Sequence, residues 1–187
     1  MKPTFHTSRP GLEADPSLPH VILVGLPGCG KTTVGRAVAQ RLDRPFLDLD
    51  EEIERREGES IGRIFAGRGE AYFRHLERQL TEELRESGGM IVSPGGGWVA
   101  NPGVVALLRP PGRLVYLRVR PATALERLGT SSALRPLLSR PDPLAELERL
   151  HVARKAGYES ADWVVDTELY GLQRVIEEVA GLVLARR

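Results

Sequence analysis

An α/β fold on a parallel sheet is predicted by three features of this 187-residue chain. Strand-like and helix-like segments alternate along its length, the pattern that layers helices over a parallel sheet. Residues 20–24 (HVILV) form a continuous apolar run ending at a glycine, as expected of a strand covered on both faces. Val34, Ala37, Val38 and Leu42 then recur at helical spacing, so a helix follows that strand directly. The length fits one domain with a real core, and 41% hydrophobic with 27% charged residues is an ordinary balance for a globular protein.

Before the first strand, residues 1–19 carry Pro3, Pro10, Pro16 and Pro19 and no apolar segment. They read as a disordered leader that adds nothing to the fold, leaving 20–187 as a single domain. The stretch lacks the hydrophobic region of a secretory signal, and Glu13 and Asp15 interrupt the basic face of a transit peptide. After the first helix, residues 46–49 form a short second strand. An amphipathic helix is predicted over 70–87, with Phe73, Leu76, Leu80 and Leu84 on one face and Gly88 and Gly89 as its stop. Residues 90–92 and 114–119 are two more buried strands. The first runs into Pro94-Gly95-Gly96-Gly97, and the second ends at Pro121 before a helix through Leu128. Residues 142–161 are helical in pattern, 163–165 form a fifth strand, and Leu172–Leu184 is a closing helix. Between these lies 129–143 (GTSSALRPLLSRPDP), a turn-rich connection that reads as a lid carrying Arg135.

Charge and cysteine content exclude several classes of function. With 26 basic against 25 acidic residues the net charge is +1, without the basic excess of a general nucleic-acid binder. No apolar run approaches the roughly 18 residues of a transmembrane helix. Cys29 is the single cysteine, which rules out an internal disulfide and fits a reducing cytoplasm. His6, His20, His75 and His151 show no metal-ligand spacing.

Gly25 to Thr32 (GLPGCGKT) matches the phosphate-binding pattern of Gly, four residues, then Gly-Lys-Thr, and it lies between a strand and a helix as that pattern requires. Glycines there accept positive φ and bring backbone N–H groups to phosphate oxygens, and the helix N-terminus adds its dipole. Gly28, Cys29, Gly30, Lys31, Thr32 and Thr33 are therefore candidate ATP contacts, with Lys31 on the β- and γ-phosphates and Thr32 on Mg²⁺. Cys29 has two readings, a thiol activated near a helix N-terminus or a small residue tolerated between glycines, and the second is preferred.

A GTPase is excluded because neither Asn-Lys-x-Asp nor Asp-x-x-Gly occurs. Three successive glycines weaken a folded chain entropically, so Gly95, Gly96 and Gly97 point to a ligand approaching bare backbone. From residue 20 onward the chain resembles the shikimate kinases. The resemblance rests on a set of motifs in order: Asp48-Leu49-Asp50 with Ile53-Glu54, Phe73-Arg74 with Glu77, Gly95-Gly96-Gly97, Arg135-Pro136-Leu137-Leu138, and Arg154 four residues before Tyr158.

That resemblance implies a P-loop kinase fold with a five-stranded parallel sheet flanked by helices, a substrate-binding segment over 49–77 and a lid over 129–143. It implies transfer of the γ-phosphate of ATP to the 3-hydroxyl of shikimate, a step of aromatic amino-acid biosynthesis, with Mg²⁺ as cofactor. At matched positions, Asp50, Arg74, Gly95, Gly96, Gly97 and Arg154 hold shikimate, Asp48 joins Thr32 at the metal, and Arg135 closes over the phosphates. Asp50, Lys31 and Arg135 are the candidate catalytic residues, and Arg127 is the nearest candidate for stacking on adenine, one position out of register. Leu172 stands near the place where a proline often takes the other face of the base.

The chemistry suits those residue types. A carboxylate beside the acceptor hydroxyl can orient it and take its proton, the role read for Asp50. Asp48 and Asp50 are expected to alternate along an extended segment, one facing the metal and one the substrate. Arginines bind a carboxylate through paired donors, Glu77 one turn after Arg74 can hold its guanidinium, and a lid arginine meets the transferring group on closure. Only small-molecule partners and a monomer are expected. Two alternatives share part of this pattern: a gluconate-type kinase with the same phosphate machinery, and a nucleotide-binding homologue without catalysis.

Overall fold

The computed structural model describes residues 5–7, 14–101, 103–129 and 141–185. Its strands are β1 (Val21–Val24), β2 (Phe46–Asp48), β3 (Ile91–Ser93), β4 (Arg113–Arg118) and β5 (Trp163–Asp166), all parallel in the order β2-β3-β1-β4-β5. Each strand of the sequence reading is present within one residue at either end. The helices are α1 (Lys31–Leu42), α2 (Leu49–Glu57), α3 (Ile61–Leu84), α4 (Val104–Leu108), α5 (Pro121–Leu128), α6 (Pro143–Glu159) and α7 (Leu172–Leu184). β1 is buried along its whole length, because helices cover both faces of the sheet. The register sets Leu47 opposite Val92 and Asp48 opposite Ser93, so the carboxyl ends of β2 and β3 finish level. Ligands of open α/β sheets bind at that edge.

Three helical stretches escaped the sequence reading, the short α4 among them. α2 starts at Leu49, so the second strand ends one residue early, and the cause is capping. Asp48 accepts the backbone N–H groups of Asp50 and Glu51, Asp50, Glu51 and Glu52 occupy the first turn, and Arg55 and Arg56 the last. Gly58 ends the helix in the left-handed conformation at φ 70°. Buried Glu52 is matched by Arg55 and Arg56 at 2.9 and 2.7 Å, and Arg56 reaches on to Glu83 of α3 at 2.8 Å. The second stretch is the start of α3, whose backbone breaks at Gly69 (φ 80°, ψ 170°). From Glu70 onward α3 is the helix expected from the periodicity, with Phe73, Leu80 and Leu84 buried, and it ends at Leu84 instead of 87.

Part of the expected leader belongs to the packed structure. The Gly89 N–H donates to the Leu18 carbonyl at 2.7 Å, and a Cβ on Gly88 would lie 2.6 Å from that same oxygen. Gly88-Gly89 is thus more than a helix stop: it lets residues 15–18 lie directly on the backbone. Arg44, itself buried, donates to the carbonyls of Pro19 and Gly89 and ties the two segments together. Phe5 packs against the core and under the Arg56 guanidinium. The remaining leader residues, 1–4 and 8–13, lie outside the described residues.

His20 anchors the same corner. Its Nδ1 accepts the Met90 N–H at 3.3 Å, which leaves Nε2 to donate to the Leu84 carbonyl at 3.0 Å, so the neutral ring is the one that fits. Burial holds its pKa below the ordinary histidine value, and the nearby Arg44 adds to this against the opposing Leu84 hydrogen bond. The unfolded chain therefore binds a proton below about pH 6.5 that the folded chain takes up only at lower pH. Stability is predicted to fall as pH drops from 7 toward 5.5, by at most ~1.4 kcal/mol per pH unit from this residue. Melting curves of the wild type and His20→Gln check this, the variant having the flatter pH dependence.

Candidate active site

A cleft of about 970 Å³ opens at the carboxyl ends of β1, β2 and β3. The loop after β1 forms its phosphate side. Gly28 (φ 83°) and Gly30 (φ 97°) take left-handed conformations, and a Cβ on Gly28 would collide with the Ala124 carbonyl of α5. Gly30 is the N-cap of α1, which aims the start of that helix into the cleft. The Lys31 ammonium donates to the carbonyls of Gly25 and Leu26 at 3.0 and 3.2 Å. The Cys29 side chain is buried in the core, with Sγ 2.7 Å from where a Gly25 Cβ would stand. That placement favours the small packed residue over the reactive thiol.

Thr32 and Asp48 meet as expected, with the Thr32 hydroxyl donating to Asp48 Oδ2 at 2.8 Å. Asp48 Oδ1 meanwhile receives the Asp50 N–H at 3.1 Å. Asp48 and Asp50 do point apart, but not by strand alternation. Asp48 is the N-cap of α2 and Asp50 sits in its first turn, so the helix start separates them. A hydroxyl and a carboxylate are hard oxygen donors suited to Mg²⁺, which usually takes one or two carboxylates and its remaining ligands from water and substrate phosphates. Among the described residues no cluster of three or more His, Cys, Asp or Glu could hold a metal by itself, and such a shared site needs none.

Across the cleft, the glycine turn after β3 shows why each of its residues lacks a side chain. A Cβ on Gly95 would lie 2.8 Å from Asp50 Oδ1 and 3.2 Å from Glu77 Oε1. One on Gly96 would lie 3.3 Å from Arg154 Nη1, and one on Gly97 would overlap the Arg74 guanidinium. Two carboxylates and two guanidinium groups from α2, α3 and α6 thus converge on three residues of bare backbone. A methyl at Gly97 must push Arg74 aside, so Gly97→Ala is predicted to raise the acceptor KM about tenfold or more with little change at ATP, measured by steady-state kinetics.

Arg74 is fixed by Glu77 at 2.6 Å and Glu70 at 2.9 Å, as the helical spacing suggested for Glu77. Glu77 is fully buried, and burial pushes its carboxyl pKa up against the opposing pull of Arg74 and Arg154. Burial alone would lower the Arg74 pKa, but Glu77 and Glu70 outweigh it and raise it, so the guanidinium stays charged. Arg154 is buried on α6 facing the turn.

The family model described as shikimate kinase matches residues 27–183. The chain belongs to the shikimate kinase family. A shikimate kinase of Ralstonia nicotianae is 43% identical over 175 residues, covering 90% of this chain and 92% of that protein. One from Burkholderia pseudomallei is 45% identical, covering 88% and 94%. Among solved structures, the shikimate kinase from Acinetobacter baumannii in complex with shikimate superposes with a TM-score of 0.85 at 34% identity, over 92% of this chain and 96% of that one. A gluconokinase from Sinorhizobium meliloti shares the fold alone, with 20% identity and a TM-score of 0.57.

Every predicted site residue of this kinase-family chain lines or borders the cleft except Arg135, which lies outside the described residues with the rest of 130–140. Arg127 also lines it, donating to the Thr167 hydroxyl and carbonyl at 2.8 and 2.7 Å. The sequence reading missed the apolar wall of Ile61, Phe65 and Phe73, where the two phenyl rings pack at 5.0 Å. Tyr170 and Gly171 beside Leu172 were also missed. Phe65 and Ile61 lie on the unrecognised start of α3, and their i, i+4 spacing was the available signal.

Proposed function

We propose that this chain is an ATP-dependent phosphotransferase that phosphorylates the 3-hydroxyl of shikimate, giving shikimate 3-phosphate and ADP in the route to aromatic amino acids. The observation that carries the reading is the glycine turn enclosed by Asp50 and Arg74, Arg154 and Glu77, across one cleft from the phosphate loop. Buried Arg154 and partly exposed Arg74 supply two cationic donors for the shikimate carboxylate, and the backbone of Gly95, Gly96 and Gly97 lies against the ring. Asp50 orients the 3-hydroxyl and accepts its proton as the hydroxyl oxygen bonds to the γ-phosphorus and the bond to the ADP oxygen breaks. Lys31 leaves its two carbonyls for the β- and γ-phosphates, with the amides of Gly28 and Gly30 and the Thr33 side of α1 around them. Thr32 and Asp48 would hold Mg²⁺, which when bound would neutralise charge on the phosphates.

Arg127, Thr167 and Tyr170 border the base side, while residues 49–77 form the acceptor wall. We read the protein as a cytoplasmic monomer acting on small molecules, without nucleic-acid or membrane partners. In support, no helix among the described residues is long and apolar enough to cross a membrane.

A gluconate kinase would not require Arg74 and Arg154 to converge, and a non-catalytic homologue would be expected to lose Lys31, Asp50 or an acceptor arginine, all of which are present. ADP release measured with shikimate and with gluconate as acceptors tests the reading. Turnover is expected with shikimate, and turnover with gluconate alone overturns it.

A further inference from the structure

Tyr158 stands one turn beyond Arg154 on α6, with only 1% of its surface exposed. Its ring stacks on Tyr116 of β4, centroids 5.0 Å apart and planes 11° from parallel. Its hydroxyl donates to the Gly96 carbonyl at 2.8 Å, in the middle of the glycine turn. The Arg154 guanidinium lies near that oxygen, drawing the phenol pKa down against burial, and it is the same group that faces Gly96. α6 is seated closely enough for this to hold, since a Cβ on Gly157 would lie 2.9 Å from Val99 Cβ on the turn that follows Gly97. Burial pushes the phenol pKa far above its ordinary value, so the hydroxyl keeps the proton it donates.

We propose that Tyr158 is a positioning residue for the acceptor: its hydroxyl joins the Gly96 peptide and the Arg154 guanidinium into one unit that receives shikimate. The proposal rests on the shikimate reading. A residue needed only for packing would affect the melting temperature and both substrates alike. A positioning residue on this side of the cleft acts on shikimate alone.

The test compares wild type, Tyr158→Phe, Tyr116→Phe and Arg154→Lys, with the Tyr158→Phe/Arg154→Lys double variant. Tyr158→Phe keeps the stacked ring and removes only the hydroxyl. It is expected to raise the shikimate KM about fivefold to tenfold, with the ATP KM within about twofold. Tyr116→Phe is expected to change neither. In the double variant the shikimate KM should rise by less than the product of the single effects, because the two groups act as a unit. A shikimate KM for Tyr158→Phe within twofold of wild type, or an equal rise in both KM values, overturns the proposal while an active wild type leaves the function standing. An inactive wild type removes the function and the proposal with it. A measurement independent of any variant follows the Tyr158 Cζ resonance of ¹³C-tyrosine-labelled wild type, which should shift on titration with shikimate and not with ADP. An unmoved resonance also overturns the proposal.

Discussion

Asp50→Asn is expected to lose nearly all phosphoryl transfer while ATP binding is retained. Asparagine keeps the size of the side chain and its place in the first turn of α2, and the cap of that helix is Asp48, not Asp50. The fold and the Thr32–Asp48 pair should therefore survive. What is lost is the carboxylate that accepts the proton of the acceptor hydroxyl, a role worth typically 10²–10⁴-fold in rate. The variant should show a kcat lowered by about that factor, with nucleotide affinity measured by titration within about twofold of wild type. Unchanged turnover would remove Asp50 as base or orienter. Loss of nucleotide affinity would instead place its carboxylate on the phosphate side.

Arg154→Ala is expected to raise the shikimate KM far more than the ATP KM. A charge-assisted hydrogen bond contributes about 1.5–3 kcal/mol, so loss of one such contact corresponds to roughly tenfold to over a hundredfold in KM. Steady-state kinetics with each substrate varied in turn reads the split directly. Equal effects on both substrates would argue against a carboxylate contact. Arg154 also neighbours Tyr158 and faces Gly96, so the alanine variant loosens the turn as well. Arg154→Lys keeps the charge but not the planar fork, and it should fall between alanine and wild type.

Much of this architecture was legible because its strands are continuous apolar runs bounded by glycine, proline or charge. The run at 20–24 and the strand at 114–119 needed no other cue. α2 was less visible for a physical reason: only Leu49 and Ile53 of its apolar residues are buried, and its helicity rests on the Asp48 cap and the charges of its two end turns. A reading built on apolar periodicity passes over such a segment, and this is why Asp48 and Asp50 looked like alternating strand residues. The glycine turn announced a close approach, but not by what. Arg74 and Arg154 come from α3 and α6 and are far apart in the chain, so no local spacing signals their convergence. Only the family resemblance suggested it, and the contacts at Gly96 and Gly97 supply its geometry. The leader was misread in part because proline and polar composition hid its backbone hydrogen bond to Gly89, which depends on a glycine pair about seventy residues away.

The most direct test of the account is a crystal structure of the full chain with shikimate and ADP. Its shikimate carboxylate is predicted to lie between the guanidinium groups of Arg74 and Arg154, with the ring against Gly95 to Gly97 and the 3-hydroxyl within hydrogen-bond reach of Asp50. Shikimate bound with its carboxylate away from both arginines, or with the 3-hydroxyl remote from Asp50, would contradict it.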